Sequence, residues 1–108
     1  MATYFLMVET NCTDPAREKE FNEWYDKVAV PDAAQNPGFV RATRYQLAEP
    51  VEGRSKYLAI YEIECADLAA WMAGMVDYMN IKRSEGRLSP LLSTTSRTVY
   101  TKISSFPK

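Results

Sequence analysis

Apolar and polar positions follow two rhythms along this chain. Thr3-Tyr4-Phe5-Leu6-Met7-Val8-Glu9 and Tyr57-Leu58-Ala59-Ile60-Tyr61-Glu62-Ile63 are largely apolar runs, as expected of central strands covered on both faces. The first run ends in the turn cluster Asn11-Cys12-Thr13-Asp14-Pro15. That cluster also starts a helix, with Asp14 as N-cap and Pro15 at the first helical position. Phe21, Trp24, Tyr25 and Val28 then recur three and four apart, while Arg17, Glu18, Lys19 and Glu20 mark the wet face. The helix is expected to end near Val28 or shortly after, because Pro31 disfavours helical backbone at Val30. Gly38 to Leu47 reads as a strand, and residues 48–54 as a polar hairpin loop. Asp67 or Ala66 opens a second helix carrying Leu68, Trp71, Met72, Met75, Val76 and Met79 at helical spacing. Residues 80–89 are polar and basic, with a short helical extension before a loop. Thr94 to Ile103, rich in Ser, Thr and β-branched residues, reads as the last strand.

The order is β-α-β-β-α-β, the split βαβ or ferredoxin-like plan, an α+β fold built as one domain over residues 1–108. Its four-stranded antiparallel sheet carries both helices on one face. The strands are apolar on both sides, so the second face also needs a cover. The simplest cover is the same sheet of another copy, giving an isologous homodimer and a dimeric α/β barrel. In the third strand, Tyr57, Ala59, Tyr61 and Ile63 share one side, a mixture of rings and a small gap suited to lining a cavity under the helices or to ordinary core packing. In the second, alternation sets Phe39, Arg41, Thr43 and Tyr45 against Val40, Ala42, Arg44 and Gln46. One arginine must therefore turn away from solvent, where it needs a carboxylate from the protein or from a ligand.

The bulk numbers exclude several functions. The chain has 108 residues, 13 Lys and Arg against 14 Asp and Glu, and no histidine. A near-neutral balance leaves no electrostatic footprint for nucleic acid or a polybasic membrane patch. No apolar run approaches the roughly 20 residues of a membrane span. Residues 1–10 lack the basic and long apolar regions of a signal peptide, so a cytoplasmic protein is expected. Cys12 and Cys65 fit neither a zinc pattern nor a disulfide framework, although each follows one of two neighbouring strands and the sulfurs are expected fairly near one another. Without histidine there is little to ligate a transition metal or haem, and no metal or cofactor is expected.

The most specific stretch is Trp24-Tyr25-Asp26 through Pro31, followed by Pro37-Gly38-Phe39. It resembles the helix-to-strand signature of the EthD-like branch of the dimeric α/β-barrel superfamily, roughly Trp-Tyr-Asp-x-x-His-x-Pro and then Pro-Gly-Phe. Arg41 and Arg44-Tyr45 match more loosely. The resemblance implies a pocket between sheet and helices. It also implies cofactor-free chemistry on small aromatic, polyketide-like or lactone-like compounds, by cyclisation, isomerisation, lyase-type cleavage or oxygenation. One position departs: where the family carries histidine, this chain has Ala29.

Histidine suits proton transfer at neutral pH because its ordinary pKa lies near ~6.5. Alanine transfers no proton. Three explanations stand: natural loss of catalysis, reassignment of the base, or replacement of a working histidine by a single small residue, the last favoured by the otherwise intact signature. Tyr25 can offer its hydroxyl as acid or oxyanion donor, or be a core ring. Asp26, about 100° round the helix from it, is better suited to anchoring the turn or holding an arginine. Catalytic candidates are thus Tyr25, Asp26 and the Ala29 position. Substrate-contact candidates are Phe39, Arg41, Arg44, Tyr57, Tyr61 and Trp71. Lys82, Arg83 and Arg87 read as a solvated face. The leading reading is a cofactor-independent acid–base enzyme, of isomerase, cyclase or lyase type, in which Ala29 leaves binding intact and turnover poor. The others are a non-catalytic carrier of a small hydrophobic or aromatic ligand and a cofactor-free monooxygenase.

Overall fold

Alternating apolar runs become strands here because each finds a partner. The computed structural model describes residues 1–108 and places β1 (Ala2–Cys12), β2 (Phe39–Gln46), β3 (Tyr57–Cys65) and β4 (Leu92–Tyr100) in one antiparallel sheet, ordered β2-β3-β1-β4. Two helical segments cover one face. The first passes through a single 3-10 turn (Pro15–Arg17), α1 (Glu18–Trp24), a π-helical turn (Tyr25–Ala29) and α2 (Val30–Ala33); the second is α3 (Leu68–Ser84). This is the expected ferredoxin-like arrangement.

Both helical segments start on side-chain caps. Asp14 accepts from the Ala16 N–H at 3.0 Å and Asp67 from the Ala70 N–H at 3.1 Å, satisfying donors that the first turn leaves unpaired. The first helix runs further than Pro31 suggests, with Val30 in helical conformation at φ −67°, ψ −48°. The π turn explains this. Val30 N–H bonds back to Tyr25 O, and this wider turn opens the carbonyl ladder that the proline ring would otherwise strike. Pro31 then sits in the first turn of α2, where its missing N–H costs nothing.

The core lies between the helices and the facing side of the sheet. Leu6, Val8 and Thr10 of β1 and Tyr57, Ala59 and Ile63 of β3 are buried there, with Phe21 fully enclosed above them. Burying a phenylalanine stabilises by roughly 1.5–3 kcal/mol. Its ring lies 5.7 Å from that of Tyr25, edge-on, and 5.5 Å from that of Tyr57. The opposite face of the sheet carries Phe5, Met7, Leu58 and Ile60, none of them fully buried, beside the exposed Tyr45 and Tyr100.

Two β-bulges set which residues face the helices. Pairing slips between Phe39 and Arg41: Phe39 lies opposite Ile63, Ala42 opposite Tyr61 and Arg44 opposite Ala59. Directly opposed residues share a face, so Phe39 and Arg44 both point towards the helices, while Arg41 points away. Strict alternation separates those two residues, and the bulge at Val40 reverses it. A second slip, at Thr95 of β4, likewise sets Thr94 opposite Thr10 and Arg97 opposite Val8, both on the helix side.

The cysteines are not neighbours. Cys65 pairs with Ala2, at the other end of β1 from Cys12. Because the strands are antiparallel, ten residues of strand separate them, about 30 Å. Both are free thiols.

Candidate functional site

The Pro37-Gly38-Phe39 corner does three separate jobs. The Pro37 carbonyl accepts the Trp71 indole N–H at 2.7 Å, tying α3 to the corner. Gly38 has φ +81°, and a β-carbon there would lie 2.1 Å from the Glu64 carbonyl oxygen. Only glycine lets the corner close onto β3, where Glu64 N–H donates to Gly38 O at 2.8 Å. Phe39 then turns inward against a cavity between sheet and helices.

Leu6 and Val8 of β1, with Tyr61 and Ile63 of β3, make the floor of that cavity. Trp71, Met75 and Met79 of α3 roof it, and Trp24, Tyr25 and Ala29 form a wall. Its volume is about 100 Å³. A single water needs roughly 10–15 Å³ on the same measure, so the space suits a small organic molecule rather than one trapped water. The Trp24 indole donates to the Arg87 carbonyl at 2.9 Å, so both tryptophan rings are held by backbone acceptors.

The polar groups fall into two sets. The Tyr61 and Tyr25 hydroxyls meet at 3.4 Å over the apolar floor. Burial pushes the Tyr25 phenol above its ordinary pKa, against the smaller opposing effects of the Tyr61 hydrogen bond and of Arg44 and Arg97. Burial raises Tyr61 as well, and the neighbouring Tyr25 phenol raises it further. Both therefore stay protonated through the neutral range and serve as hydrogen-bond donors, not as bases. The second set is Asp32 with Arg87, paired Nε to Oδ2 at 2.6 Å and Nη2 to Oδ1 at 2.9 Å. The Arg87 hydrogen bonds hold the Asp32 carboxyl below the usual range despite its burial. Tyr78 donates to the Asp32 carbonyl at 2.7 Å, joining α3 to α2. Lys82 and Arg97 complete the charged lining.

Of the residues singled out from the sequence, Tyr25, Ala29, Phe39, Tyr61 and Trp71 line the cavity. Asp26, Arg41, Arg44 and Tyr57 do not. Arg41 faces away from the helices because of the bulge. The Tyr57 hydroxyl donates to Glu18 at 2.7 Å and accepts from Asn22 at 3.2 Å, which consumes it in the core. Arg44 is clamped by Asp26 at 2.9 Å and Asn22 at 2.8 Å, its guanidinium 4.2 Å from the centre of the Tyr25 ring. Asp26 thus holds an arginine, the structural role favoured for it. Arg44→Gln is expected to cost about 2 kcal/mol in urea unfolding, from two charged hydrogen bonds and the ring contact. Asp26→Asn, at the solvent end of the same clamp, should cost less than about 1 kcal/mol.

Asp32, Tyr78 and Arg97 are cavity residues that the sequence reading passed over, and Lys82 and Arg87, read there as part of a solvated face, line the cavity too. For Asp32 a signal existed: three residues after Ala29 and seven after Tyr25, it shares their face once the helix continues past Pro31. Arg87 reads as solvated from its polar neighbours, yet it folds back onto Asp32. No three His, Cys, Asp or Glu side chains are grouped to hold a metal ion, and no helix is long and apolar enough to cross a membrane.

Sheet order, helix placement and the cavity between them define an α+β protomer of the ferredoxin-like type. No family model matches the chain, and no curated protein matches it by sequence. Solved structures do. It is similar to HapK from Hahella chejuensis, with a TM-score of 0.67 and 16% identity over 94% of both chains. SnoaB from Streptomyces nogalater, a cofactor-independent oxygenase, matches with a TM-score of 0.61 and 17% identity over 100% of both chains. An EthD-family protein from Bacillus halodurans matches with a TM-score of 0.56 and 16% identity, over 95% of this chain and 100% of that one. At such identities the likeness establishes the fold.

Proposed function

We propose that this chain is a cofactor-independent enzyme of isomerase, cyclase or lyase type. Its substrate is a small aromatic or polyketide-like carbonyl compound, enolised inside the cavity. The observation that carries this reading is the pair of neutral phenols, Tyr25 and Tyr61, meeting above an apolar floor in a cavity whose single lining carboxylate is Asp32. The carbonyl oxygen sits against the two hydroxyls. Asp32 takes the proton from the adjacent carbon, the C–H electron pair becomes the new C=C bond, and the carbonyl π pair moves onto oxygen, where both tyrosines donate to it. Returning the proton at the far carbon of a conjugated enolate completes an isomerisation; attack of the enolate carbon on a second carbonyl, whose oxygen takes the proton back from Asp32, completes a cyclisation. Asp32 is ionised at neutral pH, but its depressed pKa makes it a weak base. Turnover therefore rests mainly on the donors and is slow.

The protomer is proposed to work as a homodimer, with Phe5, Met7, Leu58 and Ile60 covered by the same face of a second copy. Such a face is too apolar to stay bare. A cytoplasmic location fits the same reading.

The test is deuterium exchange at C1 of 2-tetralone, followed by NMR in D2O. Exchange above background that falls about 10²-fold in Tyr61→Phe is expected, the usual loss for one oxyanion donor. A ligand that binds saturably and exchanges no faster than in buffer would make the chain a carrier instead. The likeness to SnoaB favours a second use of the same enolate, reaction with molecular oxygen. Oxygen uptake with a hydroquinone substrate separates the two.

A further inference from the structure

Arg17, Arg44, Arg54, Arg83 and Arg87 each donate to an acceptor elsewhere on the protein. Arg41 and Arg97 make no side-chain hydrogen bond or ion pair with the protein, and only Arg97 lines the cavity. The other two lining cations are already matched, Arg87 by Asp32 and Lys82 by Glu85 at 3.3 Å. The cavity therefore has one cation without a protein partner, at its β4 edge, where Arg97 is also exposed to solvent. The bulge at Thr95 is what keeps Arg97 opposite Val8 and on the helix side.

Its position relative to the phenols is set by the sheet. Tyr61 lies opposite Leu6 across one edge of β1, and Arg97 opposite Val8 across the other. Two strand spacings and a two-residue stagger separate their backbones by roughly 12 Å. Leu6 and Val8 form the apolar strip between them. The charge of Arg97 acts on both tyrosines, favouring negative oxygen at either.

We infer that Arg97 is a specificity residue that anchors an ionised carboxylate of the substrate. The ligand is then a flat aromatic acid lying on Leu6 and Val8, with a neutral carbonyl or phenol oxygen at Tyr25 and Tyr61 and its carboxylate at Arg97. A guanidinium suits this because its planar fork matches both carboxylate oxygens. The inference rests on the reading that the cavity takes a small aromatic ligand, and narrows it to molecules with an acid at one end.

The experiment uses 6-hydroxy-2-naphthoate and its neutral amide, 6-hydroxy-2-naphthamide, titrated by fluorescence at neutral pH. Proteins are the unaltered chain, Arg97→Gln, Arg97→Lys and Arg41→Gln. The acid should bind the unaltered chain about tenfold more tightly than the amide, as for one charge-assisted pair. Arg97→Gln should erase that preference with amide affinity unchanged, Arg97→Lys should keep part of it, and Arg41→Gln all of it. Amide binding with no acid preference, or a preference that survives Arg97→Gln, overturns the anchor while leaving the aromatic cavity standing. Binding of neither probe overturns both.

Discussion

Ala29→His is expected to raise the rate of enolisation by about 10²–10⁴-fold, the range for a well-placed general base. Ala29 is partly buried at the end of the π turn, on the cavity wall that also carries Tyr25. Ala29 packs against the core cluster but also borders the cavity, which gives an added imidazole room, so the fold should survive. The pH profile gives the sharper signature. On the proposed reading the base of the unaltered chain is Asp32, which Arg87 holds below the usual carboxylate range, so its acid limb lies below that of an ordinary carboxylate. Burial raises both phenols above their ordinary value near ~10, so they impose no alkaline limb below it. The rate should be flat from about pH 5 to 9. The variant works only with its imidazole neutral, which brings a new acid limb near ~6.5. A folded, ligand-binding variant with unchanged rate and an unchanged flat profile would remove position 29 from the chemistry.

Gly38→Ala should be the most damaging small substitution in the chain. A β-carbon at φ +81° costs about 1–2 kcal/mol by itself. The larger cost is the 2.1 Å approach to the Glu64 carbonyl, which is backbone and cannot swing aside. Relief requires prying β2 from β3 at the corner that sets Phe39 in the cavity. A total of about 3–5 kcal/mol is expected, or more than about 12 °C in Tm for a domain of this size. Gly53→Ala is the control: it also has positive φ, yet its β-carbon meets nothing within 4 Å. Its cost should stay near the roughly 1–2 kcal/mol of strain alone. Equal losses in the two variants would show that the close approach at Gly38 is not what the corner depends on.

The same corner shows how much of the site was legible beforehand. Pro37-Gly38-Phe39 stands out in the sequence, and its reason is local: a turn needing positive φ, then an aromatic at a strand start. Tyr61 and Trp71 were equally accessible, since a period of two or of 3.6 puts them on an inward face whatever packs against it. Asp32 was hidden by Pro31, because the residue before a proline normally leaves the helix. A π turn, a feature of the backbone rather than of any residue type, cancelled that rule. Arg87 was hidden because a basic residue in a polar loop looks the same whether it meets water or folds back onto a carboxylate.

The sequence by itself determined element order, the ferredoxin-like plan, the face of β3 that turns inward, and the absence of histidine from any mechanism. These follow from periodicity and composition, which need no knowledge of neighbours. Tertiary structure alone decided which arginine faces what. The bulges at Val40 and Thr95 exist only in the pairing with β3 and β1, and each moves every later residue of its strand to the opposite face. That parity stacks the half-buried Arg44 against Tyr25, turns Arg41 away from the helices and brings Arg97 to the cavity. A strand read alone has faces but no partner, and it is the partner that assigns them.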